Sequence, residues 1–193
     1  MSEDLNALNQ KIHEEADEIL DKKGLRKILA KYGIVHETGS YSLGLMTWRD
    51  LDIYIENEDF SVENFFELGK EIVSLLTPVK MSFRNERIAR TAGLPPGLYW
   101  GIYLGNEREG SWKIDVWALD KEECAQRLKF CEDIAQRISA ATRMKILEIK
   151  SKCWTDPHYR KFYTSNDIYT AVLENHAHDL DSFKIYLQRK LSV

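Results

Sequence analysis

Cysteine is scarce in this chain, with three residues in all. Cys124, Cys131 and Cys153 are odd in number and share no Cys-x-x-Cys spacing, which argues against a disulfide framework. The expectation is three reduced core thiols in a cytosolic protein. Cys124 and Cys131, seven apart on an expected helix, should face one core stripe. A surplus of positive charge is also lacking. The 27 Lys and Arg are outnumbered by 31 Asp and Glu, for a net charge of -4, so no broad basic field holds long nucleic acid by charge alone. Long apolar runs are missing too, and none approaches the roughly 20 residues that cross a bilayer. The first ten residues, MSEDLNALNQ, are acidic and polar, unlike a signal or transit peptide. No membrane partner and a cytoplasmic location are therefore expected. Repeats, low-complexity tracts and long linkers are absent as well.

What the chain does have is bulk for a core. Its 193 residues include five Trp, nine Tyr and seven Phe, enough for one buried core with an appended helical piece. Leu5, Leu8, Ile12, Ala16 and Ile19 mark a helix from Ser2 to about Asp21. Leu25 to Tyr32 continues as a second helical stretch, stopped by Gly33. Ile34 to Thr38 reads as a short strand. Asp50 to Glu56 is the next, with Leu51, Ile53 and Ile55 on one face and Asp50, Asp52 and Tyr54 on the other. Ser61 caps a helix reaching Leu76, with Val62, Phe65, Phe66, Ile72, Val73 and Leu76 as its apolar positions. Pro78 stops it, and Val79 to Arg87 is extended. Leu98 to Leu104 and Ser111 to Leu119 pair as strands, and Asp115 falls on the polar side of the second, with Lys113 and Trp117.

Asp120 with Glu123 opens a long helix towards Lys150, and Thr164 with Asp167 opens another from Ser165 to the C-terminus. His176 and His178 fall on that last helix, where alternate residues do not face together, and read as surface residues. The expected fold class is α/β (α+β), a mixed β-sheet with flanking helices and a C-terminal helical extension. Residues 1–120 form its core with the N-terminal helices. Residues 121–193 form a helical region packed on that core, serving as an acceptor-side element or a homodimer contact.

The segment carrying chemistry runs from Thr38 to Ile53. Asp50 and Asp52 lie two apart on a strand and project from the same face. Two buried carboxylates repel, so a cation should sit between them. Mg²⁺ suits, because it takes a few carboxylates and completes its shell with water and phosphate. Nine residues separate Asp50 from Gly39-Ser40. Gly39 permits a tight bend, and Ser40 offers a hydroxyl and an amide to phosphate oxygens. Arg49, Lys80 and Arg84 lie near the motif or on the following strand as further phosphate-binding candidates, as does Arg87. Tyr41, Trp48, Tyr99 and Trp117 are candidates to stack on a base.

On Gly39, Ser40, Asp50, Asp52 and Asp115 the sequence resembles the nucleotidyltransferase superfamily typified by DNA polymerase beta. Its small stand-alone members include aminoglycoside and lincosamide nucleotidyltransferases. The pattern is hydrophobic-Gly-Gly/Ser, a gap, Asp-hydrophobic-Asp/Glu-hydrophobic, then a third acid on a later strand. It covers about Ile34 to Leu119, and Thr38 departs from it where an apolar residue is usual. The resemblance implies a nucleotidyltransferase fold and transfer of a nucleoside monophosphate from a nucleoside triphosphate such as ATP to an acceptor hydroxyl. Asp50, Asp52 and Asp115 would be both metal ligands and catalytic residues, with two Mg²⁺ ions, or Mn²⁺ in their place. Gly39 and Ser40 would grip the β and γ phosphates. The acceptor is expected to be a small molecule or a protein, long nucleic acid being disfavoured by the acidic charge. The competing expectation is a catalytically inactive nucleotide-binding or regulatory module of the same fold. An Asp-x-Asp glycosyltransferase is a third, needing neither Gly-Ser nor a placed third acid.

Overall fold

The computed structural model describes residues 2–191. Its chain opens with helix α1 (Ser2–Asp17), which widens into a π-helical turn at Glu18–Lys22 before Gly24, at φ +91°, reverses the backbone. Helix α2 (Leu25–Leu29) then leads into strand β1 (Ile34–Thr38). A single helical turn, α3 (Gly39–Ser42), separates β1 from β2 (Asp50–Glu56). Helix α4 (Val62–Leu76) starts at Ser61, whose side chain accepts from the Asn64 amide, a cap worth about 1 kcal/mol. Strands β3 (Lys80–Asn85), β4 (Leu98–Tyr103) and β5 (Lys113–Leu119) follow, with the short helix α5 (Glu86–Ala89) between the first two. The C-terminal part is helical: α6 (Lys121–Arg137), α7 (Ala140–Cys153), α8 (Ser165–Glu174) and α9 (Leu180–Leu191).

The sheet order is β1-β2-β5-β4-β3. Only β2 and β5 run parallel; every other neighbouring pair is antiparallel. The parallel pair sets Leu51, Ile53 and Ile55 opposite Ile114, Val116 and Ala118. These side chains are fully buried and form one core with Ile12, Ala16, Leu20, Leu25, Leu29, Phe65 and Ile72 from α1, the π turn, α2 and α4. Burying each large aliphatic chain stabilises the fold by roughly 1.5–3 kcal/mol before entropy is counted. Gly69 lets α4 approach Trp100, whose indole lies 3.0 Å from where a Cβ would stand. The mixed sheet with flanking helices is the expected architecture.

Three local expectations are corrected. The long helix from Asp120 is two helices, because Ile138 turns extended (φ -78°, ψ 118°) and Ser139 with Thr142 forms a capping box that starts α7. The last helix is also two. His176 takes φ +58°, and the Asp179 carboxylate accepts from the Ser182 amide at 2.8 Å, an N-cap geometry for α9. His176 and His178 thus sit in a loop rather than on a helix, and both are exposed. In α4, Phe66 and Val73 are exposed, while Leu68 and Gly69 face the core.

Helices α7, α8 and α9 share a second core of Ile146, Leu147, Ile149, Tyr163, Ile168, Val172 and Phe183. Leu43, Leu45 and Trp48 from the α3–β2 connection pack into it, as does Leu5 of α1. Packing contacts therefore cross residue 120 in both directions. Among the described residues, no helix is long and apolar enough to cross a membrane.

Candidate active site

The polar face of the sheet comes from strand alternation alone. Thr38 on β1 stands opposite Asp52 on β2, and Asp52 opposite Asp115 on β5. One step along, Asp50 pairs with Lys113, and Gly101 on β4 lies beside Asp115. With no side chain, Gly101 leaves room for the Tyr99 hydroxyl, which donates to Asp115 Oδ1 at 2.7 Å. Asp50, Asp52 and Asp115 all line a cleft of about 640 Å³, together with Gly39, Ser40 and Lys113. The outer wall comes from α6 (Gln126, Arg127, Phe130, Cys131), from Arg160, and from α8 (Ser165, Asn166, Tyr169).

Gly39 is required where it stands. Its backbone is left-handed at φ +63°, and a Cβ there would come within 2.3 Å of Asp52 Oδ2. The bend presses the Gly39–Ser40 backbone against the acid. Ser40 lies behind it, with its hydroxyl accepting from Lys150 Nζ at 2.5 Å. Cys131 reaches the same corner, 3.1 Å from the Thr38 hydroxyl. It lines the cleft, so only Cys124 of the two helix thiols is a core residue.

Charge is divided unevenly among the acids. Burial acts to raise Asp50, but Lys113 and Arg160 outweigh it and hold its carboxyl below the usual range. Arg160 donates to Asp50 Oδ2 at 2.8 Å and, with its other nitrogen, to Glu107 at 2.8 Å. Asp115 receives the Lys113 ammonium at 2.5 Å, yet burial and the Asp50 charge push its carboxyl upward. Among the described residues none donates a hydrogen bond to Asp52. Burial and the charges of Asp50 and Asp115 push its carboxyl up to about 7. Asp50 Oδ1 is buried without a hydrogen-bond partner, with the Lys113 ammonium 3.9 Å away. The three acids line one cleft without closing on a common point, since Arg160 draws Asp50 away and Tyr99 and Lys113 hold Asp115.

These orphaned oxygens fit a divalent metal. Asp50 Oδ1, buried and without a hydrogen-bond partner, and the adjacent half-buried Asp52 carboxylate are hard oxygen donors, the donor type Mg²⁺ takes.

Arg49, Lys80 and Arg84 do not reach this cleft. Arg49 is clamped by Glu15 through two hydrogen bonds of 2.5 and 2.8 Å and donates to the Gly110 carbonyl at 3.1 Å. Lys80 lies on the edge strand β3, its ammonium 4.8 Å from the Tyr103 ring centre. Arg84 donates to Glu86 at 2.7 Å, and Arg87 donates to the Phe60 carbonyl at 2.6 Å. Each guanidinium thus already has a partner. Of the four aromatic candidates, Trp117 lines the cleft, while the Tyr41 hydroxyl is bound to Asp17 and the Tyr99 hydroxyl to Asp115.

The cations that do serve the cleft are Lys113, Lys150 and Arg160. Lys150 is fully buried, and its ammonium meets only hydroxyls: Ser40, Ser165 at 3.3 Å and Tyr169 at 3.2 Å. It also lies 4.6 Å from the Trp48 ring centre. Among the described residues, no carboxylate pairs with it. A buried ammonium without a counter-anion is costly, so an anion at the hydroxyls in front of it would be strongly favoured. Lys113 had a sequence signal, two residues before Asp115 on the same strand face. Lys150 and Arg160 had none, since only tertiary packing brings them to the motif.

No protein-family model matches this sequence, and no curated protein matches it. Solved structures do resemble it. A cytoplasmic RNA terminal U-transferase aligns with 89% of this chain and 54% of its own at 14% identity and a TM-score of 0.55. Cid1 in complex with its short product ApU aligns with 89% and 53% at 14% identity and a TM-score of 0.54. The chain therefore spans just over half the length of either. The likeness at this identity is one of fold, and the fold is that of the nucleotidyltransferases.

Proposed function

We propose that this chain, with its nucleotidyltransferase fold, moves a nucleoside monophosphate from a nucleoside triphosphate to an acceptor hydroxyl and releases pyrophosphate. One observation carries the reading: Asp50, Asp52 and Asp115 share one sheet face beneath the Gly39–Ser40 bend and line a single cleft. Asp50 and Asp52 would hold the divalent ion, with Asp115 completing a second position. An Mg²⁺ ion held there would supply charge neutralisation for the attacking and leaving oxygens.

The remaining work falls to the chain's own groups. The Gly39–Ser40 backbone and the Ser40 and Ser165 hydroxyls face the triphosphate, with Lys150 placing a positive charge behind them. The acceptor oxygen bonds to the α-phosphorus as the bond to the bridging α–β oxygen breaks, and that electron pair leaves with pyrophosphate. Asp115 accepts the hydroxyl proton. Trp117 and Tyr169 on the cleft walls are the surfaces for the base.

The acceptor classes are a small molecule, a protein hydroxyl and an RNA end. The last is included because one similar structure is of an RNA terminal U-transferase and another holds the short product ApU. The test is transfer of an α-labelled nucleotide in Mg²⁺ across these three classes. Label appearing on one acceptor class, and lost with Asp50→Asn, supports the reading; undiminished transfer by that variant refutes the mechanism.

A second reading is favoured by one observation. Lys113 and Arg160 already pair with Asp115 and Asp50, so the acids can be neutralised without an ion. An inactive nucleotide-binding module would then bind triphosphate and turn over on no acceptor.

A further inference from the structure

On the same sheet face, at the end away from the catalytic bend, three unlike donors meet. His36 projects from β1, Glu56 from the last position of β2, and Cys124 from the first turn of α6. One ligand atom from each, the imidazole nitrogen, a carboxylate oxygen and the thiol sulfur, lies within 4.8 Å of the other two. His36 Nε2 is 3.1 Å from Glu56 Oε2, and Cys124 is fully buried beneath it. Among the described residues, no other three His, Cys, Asp or Glu side chains converge so closely.

We infer that His36, Glu56 and Cys124 form a second metal site, of the zinc type and separate from the aspartate cleft. The donor chemistry selects the ion. A thiolate and an imidazole suit a borderline-soft cation, whereas Mg²⁺ takes oxygen ligands alone. Three protein ligands with one position left for water is a familiar zinc arrangement.

The position gives the site its consequence. Along β2 the polar face runs Asp52, Tyr54, Glu56, so this site lies about 13 Å from the catalytic acids. His36 is three residues before Gly39 on β1. The helix tied down at Cys124 is the one whose Gln126, Arg127, Phe130 and Cys131 wall the cleft. An ion here fastens the start of α6 to β1 and β2, fixing that wall against the acids.

The full chain, stripped with chelator and held in excess Mg²⁺ to occupy the aspartates, is titrated with Co²⁺ and then with Zn²⁺. One Co²⁺ per chain should bind with a thiolate-to-cobalt charge-transfer band, and Zn²⁺ should displace it. Cys124→Ser and His36→Ala should each abolish the band and weaken binding by more than the 10–100-fold typical of losing an outer-shell partner. Cys131→Ser and Asp52→Asn should keep it, which separates this site from the proposed catalytic one. His36 is partly exposed, so His36→Ala keeps the test open if Cys124→Ser does not fold. Absence of a thiolate band in the native chain, its survival in Cys124→Ser or His36→Ala, or its loss in Cys131→Ser overturns the proposal.

Discussion

The two walls of the cleft are built on different principles. The sheet wall holds Asp50, Asp52 and Asp115 on adjacent parallel strands, where backbone pairing fixes the position of every Cβ. The helical wall works with long side chains from distant segments: Lys150 from α7, Arg160 from the α7–α8 loop, and Ser165 and Tyr169 from α8. One wall gathers negative charge at spacings the chain cannot adjust. The other supplies positive charge on side chains that can rotate. In the proposed reaction the three aspartates gain from the first kind of support, because displacing a reacting group by an ångström is costly in rate. Counter-ions that must let a substrate in belong on the second. Arg160 illustrates this, bridging Asp50 and Glu107 from a residue at φ +66°.

Four substitutions probe this contrast, and the largest effect is on the sheet wall. Asp52→Asn should lower transfer by about 10³-fold or more, about 4 kcal/mol of transition-state stabilisation, measured with labelled nucleotide. The same variant should melt no lower than the native chain, because it removes a buried like charge. A clear drop in thermal midpoint would mean that Asp52 is structural.

Lys113→Met should destabilise the metal-free chain by about 3 kcal/mol, since Asp50 and Asp115 lose the buried cation between them. Denaturant unfolding with and without Mg²⁺ checks this, and the ion should narrow the deficit. Lys150→Met on the helical wall should act in the opposite sense. Triphosphate affinity should fall about 30-fold, or 2 kcal/mol, while the ligand-free midpoint rises because an unpaired buried charge is gone. Smallest is Ser139→Ala, which removes the α7 cap and should cost about 1 kcal/mol in chemical denaturation without changing triphosphate affinity.

The same contrast explains what could be read from the sequence. Alternation with period 2 is local, so β2 and β5 and the common face of all three acids were legible. Helix starts at Ser61, Asp120 and Thr164 were legible through their capping side chains. The break at Ile138–Ser139 was not, because Ser139 and Thr142 cap only when the preceding residue turns extended, and helical periodicity on either side masks it. The placement of the basic residues was not legible for a related reason. Arg49 sits next to Asp50 in sequence yet pairs with Glu15 on α1. Lys150 is 110 residues from Ser40 and yet donates to it. Charge pairing over such separations depends on tertiary packing, which nearest-neighbour proximity in sequence does not report.

The proposed role of the sheet wall can be measured without knowing the acceptor. Binding of a non-hydrolysable triphosphate is followed by calorimetry in Mg²⁺, in chelator, and with Asp50→Asn and Asp52→Asn. Tight binding only in Mg²⁺, lost in both variants, is the expected result. Equal affinity in chelator, or in either variant, would contradict the assignment of these aspartates as the metal-holding centre.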